Sequence, residues 1–196
     1  NTGGMGAYAP ANFLCTEELE ALGRRIVAPT LAELRRRGAC FRGALYAGLM
    51  LTPAGPRVIE FNARFGDPET QVLMMQLETD LVPLLQACAR GALAPTALRQ
   101  RPGYSVGIVL AAEGYPESPR AGDVIELPPS LPPEVQLFHA GTRRVGDQLT
   151  TAGGRVLTAC AHGATVAEAR TRALELAEAV RWHGRHFRRD IGAGAP

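Results

Sequence analysis

The stretch Val58-Ile59-Glu60-Phe61-Asn62-Ala63-Arg64-Phe65-Gly66-Asp67-Pro68-Glu69 decides how the rest of the chain is read. From Ile59 to Asn62 apolar and polar residues alternate, the pattern of a strand. Residues two apart on a strand share a face, so Glu60 and Asn62 point one way, and Ile59 and Phe61 point into the opposite layer. A carboxylate and an amide oxygen on one face make a hard, oxygen-only pair. Such a pair suits Mg²⁺, which takes one or two protein oxygens and leaves its other positions to water and phosphate. Alternation alone fits an ordinary half-exposed strand as well. The loop beyond adds weight. Arg64, Asp67 and Glu69 crowd charge past the strand end, Gly66 and Pro68 fix the backbone, and functional groups gather in loops held by rigid elements. Glu69 also sits at a predicted helix start, where its charge complements the helix dipole.

Upstream, Phe41 to Leu51 reads as a strand, Thr52-Pro53-Ala54-Gly55-Pro56 as a turn, and Arg57 to Asn62 as the returning strand. Together they predict a β-hairpin with a five-residue loop. In Arg42 to Met50 the plain reading is a core strand with close backbone packing; Leu49 or Met50 can also floor an adenine pocket. Thr16 to Arg37 reads as a helix, with Leu19, Leu22, Ile26, Leu31 and Leu34 on one apolar face. Thr16 is its expected N-cap, Pro29 should kink or split it, and Gly38 should stop it. The opening, Asn1-Thr2-Gly3-Gly4-Met5-Gly6, falls in a stretch read as loop over residues 1–12. Its three glycines allow backbone N–H groups to face an anion closely, although glycine-rich loops are often plain turns.

Downstream, helices are expected from about Glu69 to Leu77 and from about Leu81 to Arg90, with Asp80 as a cap. Residues 91–104 carry Gly91, Pro95, Pro102 and Gly103 and read as a connector, so a domain boundary falls there. Beyond it lies a mostly antiparallel β pattern. Strands are expected at Ser105 to Ala112, Asp123 to Leu127, Gln136 to Ala140, Gln148 to Thr150 and Arg155 to Ala161. One helix, about Val166 to Val180, closes this region. Thr165 and Glu168 form its capping box, and Ala169, Ala173, Leu176 and Val180 its buried stripe.

Composition sets the outer limits. Apolar residues make up 46% of the 196, enough for a buried core and too many for a disordered chain. The net charge of +2 is too balanced for a nucleic-acid or membrane-surface protein, and no run of apolar residues is long enough to span a bilayer. Cys15, Cys40, Cys88 and Cys160 are widely spaced and read as reduced small core residues of a cytosolic protein. All 21 basic residues are Arg. A chain that handled nucleotide phosphates by itself would often use Lys as a point charge. The chain also opens inside a glycine motif without an initiator Met, and it is read as a fragment.

Three segments, NTGGMGAYAP, FRGALYAGLML and VIEFNARFGDPETQ, stand in an order and spacing that resemble the glycinamide ribonucleotide synthetase family of ATP-grasp ligases. SVGIVLAAEGYP, FHAGT, GGRVL and RRDIG extend the resemblance over nearly the whole chain. E-x-N-x-R is shared among related ATP-grasp ligases; the FGDPET continuation is the most specific part. The fold implied is α+β: the second lobe of an ATP-grasp domain over residues 1–92, followed by a small β-rich carboxy-terminal domain with one packed helix over residues 103–196. The resemblance implies ATP-dependent joining of glycine to 5-phosphoribosylamine through glycyl phosphate. It makes Glu60 and Asn62 the ligands of Mg²⁺ or Mn²⁺ and Arg64 the catalytic residue that neutralises the transferring phosphoryl group. Gly66, Asp67, Pro68 and Glu69 would shape the glycine pocket, with Asn1, Thr2, Gly3 and Gly4 beside it and Leu49 at ATP. It also implies a missing amino-terminal half carrying the phosphate-covering loop and the lysines, and exposed apolar surface where that half would pack. Neither nucleic acid nor membrane is expected as a partner, and the four histidines receive no catalytic role. Two other readings stay open here: a non-catalytic remnant that keeps the fold, and a different ATP-grasp carboxylate–amine ligase.

Overall fold

The computed structural model describes residues 4–195. The chain forms two compact units that do not follow chain order. One, here the sheet unit, gathers the residues up to Ala11, Asp67–Leu77 and Gln100–Ala195. The other, the hairpin unit, takes Asn12–Gly66 and Glu78–Arg99. The expected α+β class holds.

The sheet unit is built on four antiparallel strands in the order β1-β4-β8-β5. These are β1 (Gly6–Ala9), β4 (Tyr104–Ala111), β8 (Arg155–Gly163) and β5 (Val135–His139). The central strands β4 and β8 are apolar on both faces because both faces are covered. On one side, Val106, Ile108, Leu110, Leu157, Ala159 and Ala161 pack against α5 (Val166–Ala179). On the other, α3 (Glu69–Gln76) brings Val72 against Ala9 and Cys160. The expected stripe of Ala169, Ala173, Leu176 and Val180 is buried. The Thr165 hydroxyl caps α5 by accepting from the Glu168 N–H at 3.1 Å. The Glu168 carboxylate reaches back to the N–H of Ala164, one residue before the cap. A second hairpin, β6 (Thr142–Val145) and β7 (Gln148–Thr151), turns through Gly146-Asp147.

Two expectations change in this unit. Residues 6–9, read as loop, form the edge strand β1. Gly6 permits it: a Cβ there would fall 2.6 Å from Ile191 and 2.8 Å from the Gly107 carbonyl, so only glycine fits against β4. Residues 123–127, read as a strand, make only isolated bridges, Val124 to Thr150 and Glu126 to Arg181.

The hairpin unit holds α1 (Thr16–Leu22), a π-helical turn (Gly23–Val27), α2 (Ala28–Arg36), β2 (Tyr46–Thr52), β3 (Gly55–Asn62) and α4 (Leu81–Arg90). The single helix expected over residues 16–37 is split as Pro29 required, through the wide π turn just before it. Proline lacks an N–H to give and crowds the preceding turn, and wider i→i+5 pairing absorbs the mismatch. Cys15, not Thr16, is the N-cap; its N–H donates to the Glu18 carboxylate at 2.8 Å. The β2–β3 loop is two residues, Pro53-Ala54, not five, because Gly55 pairs with Thr52 and Pro56 with Leu51. Gly55 manages this at φ +95°, a backbone state that L side chains rarely adopt. The Asp80 side chain caps α4, accepting from the Val82 N–H at 2.9 Å.

All four cysteines are free thiols. Burial pushes the Cys160 thiol far above its ordinary pKa, which leaves it inert. Among the described residues no helix is long and apolar enough to cross a membrane.

Candidate functional site

Glu60 and Asn62 close β3, and their side chains meet on one face. The Asn62 amide donates from Nδ2 to Glu60 Oε1 at 2.9 Å. That bond fixes the amide so that its own oxygen, Oδ1, faces away from the donor group. It leaves Glu60 Oε2 and Asn62 Oδ1 as the oxygens able to bind a cation.

The local backbone favours this arrangement. Glu60 pairs with Gly48 on β2, and the register then slips, so that Leu49 faces Val58 and Ile59 is the extra residue. Such a bulge bends the strand and re-aims its neighbours. Gly48 is buried, and a Cβ there would lie 3.2 Å from Glu60 Cγ. The missing side chain at position 48 thus gives the Glu60 carboxylate its room. Gly48 was readable in the sequence only as close packing within a strand; its pairing with Glu60 could not be read there. Leu49, half-buried, follows the bulge directly.

Arg64 lies two residues beyond Asn62 and is exposed. Its Nη1 donates to the Phe65 carbonyl at 2.9 Å. Among the described residues no acidic group forms an ion pair with it, so its charge remains available to an anion. Gly66, buried, ends the first segment of the hairpin unit.

Among the described residues no opposite layer covers Ile59 and Phe61. Ile59 is 62% exposed and Phe61 41%, with Met50, Leu51 and Val58 also open to solvent. The apolar face of the hairpin is formed but uncovered.

Asp67, Pro68, Glu69 and Gly4 belong to the sheet unit. Pro68 is fully buried, and Glu69 opens α3, with its charge in the first turn. Asp67 is held on three sides. Its Oδ1 accepts from Gln71 Nε2 at 2.9 Å, its Oδ2 faces Arg155 Nη2 at 3.1 Å, and its carbonyl accepts from Arg155 Nη1 at 2.6 Å. Arg155 Nη1 also donates to the Gly4 carbonyl at 3.4 Å. Gly4 has φ +75°. Sequence reasoning missed Arg155, whose partners lie 88 and 151 residues away. Asn1, Thr2 and Gly3 lie outside the described residues.

The donor set of the hairpin fits a hard divalent cation that completes its shell with phosphate and water. Among the described residues no group of three or more His, Cys, Asp and Glu could hold a metal by itself. Three of the four histidines have side-chain partners: His139 Nδ1 lies 3.1 Å from the Thr142 hydroxyl, and the His162 and His183 rings lie 3.6 and 3.5 Å from Glu134 and Glu113.

A hairpin that offers oxygens to a cation, with an exposed guanidinium just beyond it, fits the ATP-grasp class. Residues 1–70 match the phosphoribosylglycinamide synthetase ATP-grasp (A) domain, and residues 105–194 match the C domain of the same synthetase. The chain belongs to the phosphoribosylglycinamide synthetase family. It is 49% identical over 193 residues to the phosphoribosylamine–glycine ligase of Mesorhizobium japonicum, covering 98% of this chain and 45% of that protein. The crystal structure of the phosphoribosylamine–glycine ligase of Thermotoga maritima superposes with a TM-score of 0.82 at 38% identity, covering 97% of this chain and 47% of that one. The biotin carboxylase domain of the Hydrogenobacter thermophilus 2-oxoglutarate carboxylase, at 19% identity and TM-score 0.66 over 93% of this chain and 40% of that one, shares the fold alone. The chain thus spans about half the length of the curated relatives it matches.

Proposed function

We propose that this chain is the carboxy-terminal part of an ATP-dependent ligase that joins glycine to 5-phosphoribosylamine, giving glycinamide ribonucleotide in purine biosynthesis. In chain order, residues 1–92 act as the second ATP-grasp lobe and residues 103–196 as the carboxy-terminal domain. The relatives' printed activity supports this reading, and so does the uncovered apolar face of the hairpin, which fits a larger protein. The amino-terminal half of the same enzyme is the proposed partner for that face. Four free thiols fit a reducing, cytoplasmic setting.

The observation that carries the proposal is the bonded pair of Glu60 and Asn62, with the exposed Arg64 guanidinium just beyond it. Glu60 and Asn62 would hold Mg²⁺ or Mn²⁺, which when bound draws charge from the ATP phosphates. Leu49 contacts ATP. Glycine lies against Gly66, Asp67, Pro68 and Glu69, with Asn1, Thr2, Gly3 and Gly4 beside it. Its carboxylate oxygen attacks the γ-phosphorus, the bond to ADP breaks, and glycyl phosphate forms. Arg64 neutralises the transferring phosphoryl group, for which a planar guanidinium offers two-point contact. The amine of phosphoribosylamine then attacks the glycyl carbonyl carbon, loses a proton, and expels inorganic phosphate. The first attack needs no general base, because a carboxylate is already a nucleophile.

Co-expression of this chain with the amino-terminal half tests the proposal. Phosphate release should require ATP, glycine and phosphoribosylamine together. A folded pair that releases none, or that turns over another carboxylate and not glycine, contradicts it.

A further inference from the structure

We propose that Arg155 is a positioning residue for glycine, the clasp that holds the two arms of the glycine pocket in register. This inference rests on the proposed function, since it takes the pocket from that reading. The contacts themselves lie wholly within the sheet unit.

Arg155 opens β8, far in sequence from everything its side chain touches. One nitrogen, Nη1, donates to the Asp67 carbonyl and to the Gly4 carbonyl; the other, Nη2, pairs with the Asp67 carboxylate. One rigid, planar group thus ties the turn at Asp67 to the glycine-rich loop at Gly4. A guanidinium suits the task, because its fork presents several donors in a fixed plane, whereas an ammonium would offer a point charge.

The fold aims Arg155 at these partners. The β4–β8 register slips between Leu110 and Ala111: Leu110 faces Leu157 and Ala111 faces Arg155, leaving Val156 as the extra residue. Val156 and Leu157 are both buried, while the Arg155 side chain stays 28% exposed. A bulge of this kind turns the adjacent side chain away from the regular alternation. Gly4 is fitted to the clasp as well. A Cβ at position 4 would lie 2.4 Å from Arg155 Nη1, so a side chain there would displace the guanidinium, and the φ of +75° itself favours glycine. Gln71 completes the grip by donating to the other Asp67 carboxylate oxygen. The turn is therefore oriented from two elements, β8 and α3.

If Arg155 positions the pocket, its loss should act on glycine and spare ATP, whose proposed contacts lie in the hairpin unit. In the reconstituted enzyme, Arg155→Met should raise the KM for glycine roughly tenfold, leaving the KM for ATP within about twofold and kcat little changed. Arg155→Lys should recover part of the loss, since an ammonium keeps the ion pair to Asp67 but cannot reach all three acceptors. In this chain alone, Arg155→Met should speed amide hydrogen exchange at residues 4–8 and 67–70 and leave β4 and α5 unchanged. A glycine KM that does not move in a folded variant overturns the inference, as does an equal rise for glycine and ATP. If the unsubstituted pair shows no glycine-dependent turnover, the proposed function fails. The exchange measurement then decides the clasp separately: unchanged exchange at both arms overturns it.

Discussion

The two units differ in where their apolar residues go. In the sheet unit, β4 and β8 bury Val106, Ile108, Leu110, Leu157, Ala159 and Ala161 against α5, and Cys160 on the other face against Val72 of α3. In the hairpin unit the only buried residues among those described are Gly48 and Gly66, and α1 and α2 bury none. Amphipathic helices occur in both, α2 and α4 in the hairpin unit and α5 in the sheet unit. An apolar stripe therefore records an intention to pack, and only a partner surface makes it a core. The sheet unit carries both layers in its own sequence. The hairpin unit carries the residues proposed for phosphate chemistry, but its Ile59, Phe61, Val82 and Leu85 stay open to solvent.

The largest effect expected from this contrast is in the sheet unit. Leu157→Ala should destabilise the chain by about 2–5 kcal/mol, the cost of removing a fully buried side chain and leaving a cavity, measured by urea unfolding. A loss comparable to that of an exposed hairpin residue would dissolve the contrast. Thr165→Ala removes the hydroxyl that caps α5, and about 1 kcal/mol should be lost in the same measurement.

A third, pH-dependent effect concerns Glu134. The Arg101 guanidinium, 2.8 Å away, holds the Glu134 carboxyl below its ordinary pKa, helped by charge on His162 and Arg172. A carboxyl whose folded pKa is depressed adds stability that is fully present above its unfolded pKa. That stability is lost as pH falls through the folded value. Acid titration of unfolding should therefore show a loss below the ordinary carboxylate range that Glu134→Gln reduces. The pair is more than a third exposed, so the effect is small and should shrink in high salt. The smallest effect is expected at Ile59→Ala: within about 0.5 kcal/mol in this chain, because the side chain is already in water. In the reconstituted enzyme the same substitution should weaken assembly with the amino-terminal half, read by analytical ultracentrifugation.

What the sequence revealed follows the range of the physics involved. Local periodicity placed Glu60 and Asn62 on one face, and local capping chemistry placed α4 and α5. Pro29 announced the split helix but not the π turn that accommodates it. The edge strand β1 was hidden because Gly6-Ala7-Tyr8-Ala9 has weak strand character; it forms because Gly6 allows close approach to β4. The hairpin loop was overestimated because Gly55 and Pro56 look like turn residues yet lie in the pairing. Arg155 left no local trace at all. Its contacts with Gly4 and Asp67 exist only once the chain has folded.

The most direct test is Glu60→Ala in the reconstituted enzyme, with phosphate release measured across a Mg²⁺ and Mn²⁺ titration and folding checked by circular dichroism. The account predicts that a folded variant loses glycine-dependent release, and that added metal does not restore it. A folded Glu60→Ala enzyme that releases phosphate at the unsubstituted rate would contradict the role given to the Glu60–Asn62 pair.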